Sequence, residues 1–193
     1  MKDILLSVHP KWCEKICHKI GKDENGKPVY EKVIEVRKSA PKEVPFKCYI
    51  YCTQGNYRPY KCSMKSVGEC LVLKDIGVVN GKVIGEFVCD KVYKWNYDYC
   101  DGVDIDDDLI VDTCLDREDI NSYAKGKTLY GWNISDLKIY DKPRELSEFY
   151  KFCDKKNCQM CDGEREYDVC VFGRRKPITR PPQSWCYVEE HGK

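Results

Sequence analysis

Apolar and polar residues alternate along this chain in short blocks. Ile4-Leu5-Leu6-Ser7-Val8 is a nearly continuous apolar run of strand length, the pattern of a strand covered on both faces. His9-Pro10 ends it, because the residue before a proline is pushed out of the helical region. Pro10 in turn suits the first turn of a helix. Cys13, Ile16, Cys17 and Ile20 fall at i, i+3, i+4 and i+7, which predicts an amphipathic helix over 11–20 stopped by Gly21. The polar stretch 22–28 carries Asn25-Gly26, a hairpin-type turn. Strand-like runs rich in β-branched and aromatic residues follow at 31–37, 46–53, 82–93, 129–140 and 185–189. A short helix is expected over 115–124 and a helical turn over 146–152. Many short strands with few helices predict an α+β, mainly β fold, built as a small β-barrel or sheet with flanking short helices.

Composition narrows the class. A length of 193 residues favours one domain, taken here as 1–193. Lys+Arg is 33 and Asp+Glu is 32, so bulk positive charge is excluded as a means of holding nucleic acid. The apolar run at 4–8 is too short for a signal-peptide core, and no stretch approaches the ~18 apolar residues of a membrane span. A cytoplasmic protein without membrane contact is expected, with a monomer as the default state. In that compartment thiols stay reduced, so the 14 cysteines read as buried small residues or metal ligands.

Lys32, Glu35 and Arg37 form the first polar constellation. Glu35 and Arg37 are two apart and share one face of a strand. A clustered Lys, Glu and Arg suits an anion or a polar base, with Arg as a planar donor. The same spacing also describes ordinary ion pairs on a solvated strand. The order of motifs separates the two. A strand, WCEKI on a helix, K-x-x-E-x-R, a YIYCT strand, GWNISDLKIY and PPQSWCYVEE follow one another, and this series resembles the ASCH family of the PUA-like superfamily. The likeness is to its longer phage and prophage members. It covers 1–142 and 181–190. The family signature is G-x-K-x-x-E-x-R; here the glycine does not directly precede Lys32, so Gly21 or Gly26 takes its place.

The resemblance implies a five- or six-stranded barrel with a helix at its mouth. It implies binding of RNA or a modified nucleoside in a cleft beside it. Lys32, Glu35 and Arg37 would form the floor of that cleft. Some small members hydrolyse N4-acetylcytidine with a lysine, a threonine and a glutamate. Lys32 matches the lysine, Glu35 stands at the threonine position, and Glu118 is the candidate for the later glutamate. An amidohydrolase is therefore the rival reading, and an interaction module with an idle cleft is a third. Trp12 and Trp132 are the candidate stacking walls, since unpaired bases are held on aromatic faces. Ser135, in the W-x-I-S-D run, is a candidate polar contact.

Two C-terminal features complete the list. Cys153, Cys158, Cys161 and Cys170 lie within a polar segment and enclose a C-x-x-C pair. Four thiolates so spaced suit a tetrahedral structural Zn2+, whose binding energy would fold an insertion at about 150–175 before a final strand at about 184–190. Arg174 and Arg175 open a basic stretch that suits phosphate contact. The ten acidic residues of 94–119, among them Asp106, Asp107 and Asp108, read as a solvated acidic loop that repels a phosphate backbone.

Overall fold

A computed structural model describes residues 2–54, 80–152 and 177–190. Six strands make the main sheet: β1 (Asp3–Val8), β5 (Phe46–Cys52), β6 (Val83–Cys89), β11 (Ser135–Arg144), β12 (Phe149–Lys151) and β13 (Trp185–Glu190). Their order is β11-β6-β5-β1-β13-β12. β1 runs parallel to β5 and antiparallel to β13. A second sheet holds β4 (Ile34–Arg37), β10 (Leu129–Asn133) and β7 (Val92–Trp95), in the order β4-β10-β7. Two hairpins, β2–β3 (Lys19–Lys22, Pro28–Tyr30) and β8–β9 (Tyr97–Asp98, Gly102–Val103), complete the strands. The helices are α1 (Pro10–Cys17), α2 (Asp107–Thr113) and α3 (Arg117–Ala124). Instead of one closed ladder, the described strands thus divide between a six-stranded and a three-stranded sheet.

The contiguous apolar run of β1 has the expected cause. Ile4, Leu6 and Val8 enter a core shared with Cys13, Ile16, Cys48, Ile50, Phe87 and Trp132, which joins α1 and the main sheet to β10. Leu5 points the other way, into a cluster with Tyr49, Phe149, Ile178 and Val188. Both faces of the central strand are covered, so alternation disappears from its sequence. Ser7, the one polar residue in the run, gives its hydroxyl to Pro182 O at 2.6 Å.

Several boundaries differ from the sequence expectation, among them 31–37, where the strand begins at Ile34, and 129–140, which divides into β10 and β11. α1 ends at Cys17, and Ile20 is 60% exposed in β2. The backbone has turned extended by His18, where Glu31 N donates to His18 O, so hairpin pairing replaces the last helical turn. The run at 82–93 splits into β6 and β7. The region around 146–152 is one 3-10 turn, Leu146–Glu148, followed by β12. The acidic stretch at 106–113 is not a loop. Asp107 and Asp108 lie in the first turn of α2, where carboxylates favour the helix N-terminus.

Eight cysteines among the described residues are free thiols. Cys13, Cys17, Cys48, Cys52 and Cys89 are buried, as small core residues should be, whereas Cys100 is exposed. Burial pushes the Cys17 and Cys89 thiols up to about 12. No helix among the described residues is long and apolar enough to cross a membrane.

Candidate functional site: a buried Lys-Glu-Arg cluster

β4 is a strand with two different faces. Ile34 and Val36 enter an apolar cluster with Trp95, Val103, Ile120 and Leu129, beneath α3. Glu35 and Arg37 point to the opposite face, toward the main sheet. There Glu35 lies directly across from Trp132 and Arg37 from Tyr130 on β10. Arg37 Nη2 donates to the backbone oxygen of Ser7 on β1 at 2.8 Å, which ties the two sheets together.

Lys32 precedes β4 and is fastened on two sides. Its N–H donates to Lys15 O on α1, and the next N–H, of Val33, donates to Asp112 O on α2. The ammonium then reaches Thr113 O at 2.6 Å, at the C-terminal end of α2. A cation suits that end, where carbonyls lack intrahelical partners. The acidic segment therefore contributes to the site as a short helix that receives Lys32, a role its charge pattern alone concealed.

Three charges meet here. Lys32 Nζ lies 3.4 Å from Glu35 Oε2, and Arg37 Nη2 lies 2.7 Å from Glu35 Oε1. Their side chains are 2%, 6% and 11% exposed, so this is an enclosed cluster and not a solvated face. Burial holds the Lys32 ammonium below the usual lysine range, against the opposing pull of Glu35. Glu35 Oε2, Arg37 Nε and, across from Glu35, Trp132 Nε1 are buried without a hydrogen-bond partner among the described residues. Such groups cost about 1–3 kcal/mol each when left unpaired.

Trp12, half-buried on α1, covers Lys32, with the ammonium 5.2 Å from the ring centroid. Lys11 approaches the same ring to 4.6 Å. Tyr123 on α3 was not among the sequence candidates. It is 39% exposed, Lys38 stands 4.9 Å from its ring, and its phenol feels the charges of Arg37 and Glu35. The signal available for it was its place in a helix beside the acidic run, which did not distinguish it from any other surface tyrosine.

The remaining sequence candidates separate. Trp132 is fully buried, edge-on to Phe46 and Trp185 at 5.2 and 5.7 Å, and so lies in the core and not on a cleft wall. Its neighbour Gly131 explains the placement. A Cβ there would stand 2.3 Å from the Trp95 ring, so Trp95 closes one face of β10 while Trp132 fills the other. The Ser135 hydroxyl is spent on Val88 O at 2.8 Å. Glu118 is exposed in the first turn of α3, and no described contact joins it to Lys32. Arg174, Arg175 and the four cysteines Cys153, Cys158, Cys161 and Cys170 lie outside the described residues. Among the described residues no three metal-ligating side chains come together. An open groove of about 520 Å3 lies elsewhere, between Lys91, Tyr93 and Asp106 to Leu109. Its carboxylates make it unsuited to a phosphate backbone.

No family model and no curated protein matches this chain. Solved structures do. The crystal structure of ASCH from Zymomonas mobilis aligns with a TM-score of 0.50 at 15% identity, covering 97% of this chain and 88% of that one. A point variant of the same Zymomonas mobilis protein aligns with a TM-score of 0.50 at 14% identity, covering 98% and 91%. Over nearly its full length, the chain has an ASCH-like, mainly β fold.

Proposed function

We propose that this protein binds RNA or a modified nucleoside, taking a nucleobase at the Lys32–Glu35–Arg37 cluster. The observation that carries the reading is that Glu35 Oε2 and Arg37 Nε are buried without a hydrogen-bond partner among the described residues, in the cluster whose Lys32 ammonium lies against Trp12. A nucleobase edge supplies both the donor and the acceptor that these atoms lack. The half-exposed rings of Trp12 and Tyr123, each with a lysine on it, are suited to stacking and to nearby phosphates. The ASCH-like fold agrees with a nucleic-acid or nucleoside ligand.

The test is binding of a fluorescently labelled single-stranded RNA of mixed sequence across a salt series. Saturable binding, weakened at least about tenfold by Arg37→Ala, is expected, with a modest salt slope because few phosphates are neutralised. Absence of binding by the folded protein would refute the reading.

One observation favours the hydrolase alternative: burial lowers the proton affinity of Lys32, the direction that general-base work by a lysine requires. Incubation with N4-acetylcytidine, with Lys32→Ala as control, decides it. Lysine-dependent release of cytidine would make the site an amidohydrolase. For the C-terminal insertion we retain the Zn2+ proposal on the spacing of Cys153, Cys158, Cys161 and Cys170. Elemental analysis should then find about one zinc per chain.

A further inference from the structure

The cluster has an order, with one carboxylate between two cations. Lys32 carries three N–H groups. One is bonded to Thr113 O, and Glu35 Oε2 stands at the longer distance of 3.4 Å. Arg37 uses Nη2 on both Glu35 Oε1 and Ser7 O, and its Nε is buried without a hydrogen-bond partner among the described residues. Within the Lys32–Glu35–Arg37 row, the ammonium N–H, the second oxygen of Glu35 and the guanidinium Nε–H thus run donor, acceptor, donor, with Trp132 Nε1 a further buried donor across from Glu35. All three are buried in one place, so water competes poorly for them.

We propose that this cluster selects the imide edge of a uracil base, which presents acceptor, donor, acceptor through O4, N3–H and O2. The inference rests on the reading of the cluster as a nucleobase site and names its ligand class. The other bases fit worse for a stated reason. Cytosine presents donor, acceptor, acceptor, so in either orientation its N3 lone pair faces the Glu35 carboxylate and its amino group faces a cation. Guanine offers one acceptor and then two donors, which turns its amino group toward a cation. Adenine has no second acceptor on that edge. A site built from buried polar groups rejects a ligand that leaves them unpaired far more strongly than an apolar pocket rejects a misfit. Trp12 stands over Lys32 and is half-exposed, so it is the ring on which a base entering this cluster stacks.

The experiment compares 5′-labelled octamers of uridine, cytidine and N3-methyluridine by anisotropy, with the full chain at one fixed salt concentration. The two pyrimidines stack similarly, so edge chemistry dominates their difference. Oligouridine should bind at least about tenfold more tightly than oligocytidine. Methylation at N3 removes the central donor and should lower affinity to the oligocytidine level or below. Glu35→Gln, which offers a donor as well as an acceptor, should bring the uridine-to-cytidine ratio close to one, with circular dichroism confirming the fold. The methylated probe needs no variant and decides the matter even if Glu35→Gln fails to fold. Equal binding of all three oligomers would overturn the imide assignment while leaving RNA binding intact. Binding of none of them would overturn both.

Discussion

Two charge clusters adjoin in this protein, and they share neighbouring residues of the sequence. The inner one is Lys32–Glu35–Arg37. The outer one is Lys15–Glu31–His18, where the carboxylate of Glu31 bridges the Lys15 ammonium and, at 2.8 Å, His18 Nδ1. Each has one carboxylate between two nitrogen groups. The outer side chains are 29–46% exposed and the inner ones 11% or less. In the outer cluster water shares the solvation and no polar atom is left buried and unpaired. In the inner cluster the protein alone supplies partners, and two atoms go without. The contrast shows that burial, and not residue type, distinguishes a site from a surface ion pair.

The largest expected effect breaks the inner cluster at its centre. Glu35→Ala leaves two buried cations facing each other and should cost about 3–5 kcal/mol in urea unfolding. Lys32→Met is the sharper probe, because Arg37 still neutralises Glu35. A change within about 1–2 kcal/mol is expected, together with loss of RNA binding. Stability kept and binding lost would mark the ammonium as functional. The pH dependence follows from its lowered proton affinity. Between that lowered value and the ordinary 10.5, the unfolded chain holds the Lys32 proton more tightly than the folded one. Stability contributed by this group therefore rises with pH through that window. The Lys32→Met variant should lack the rise, which unfolding of both proteins at mildly and strongly alkaline pH will show.

The contrast also explains what the sequence made legible. The face shared by Glu35 and Arg37 followed from period-2 geometry, β1 from a nearly continuous apolar run and β5 from its high β propensity. The convergence of Lys32 with them could be read only through the order of motifs. Its actual partners, Lys15 O and the Trp12 ring on α1 and Thr113 O on α2, come from two elements remote from each other in sequence. Trp132 was misplaced because the run LYGWN has no strict alternation. β10 is flanked by β4 and β7 and covered on both faces, so an aromatic there reads the same whether it lines a cleft or a core. The acidic segment was misread because its charge pattern resembles a solvated loop, although Ile105 and Thr113 are buried and its C-terminus receives Lys32.

The smallest expected effect belongs to the outer cluster. Burial of Glu31 tends to raise its proton affinity, but the hydrogen bonds from Lys15 and His18 outweigh it and hold the carboxyl below its ordinary 4.5. A carboxyl lowered in the folded state contributes stability above the unfolded value, and that contribution fades as pH falls through the folded value. Because these groups are about a third exposed, water screens the interaction, so Glu31→Gln should cost at most about 1 kcal/mol at neutral pH. The difference from the parent protein should shrink with added salt and vanish once the pH is well below 4.5. RNA affinity should be unchanged, since Glu31 lies outside the enclosed cluster. An effect of Glu31→Gln as large as that of Glu35→Ala would mean that the two clusters act as one charge network and that the boundary drawn here by burial is not the functional one.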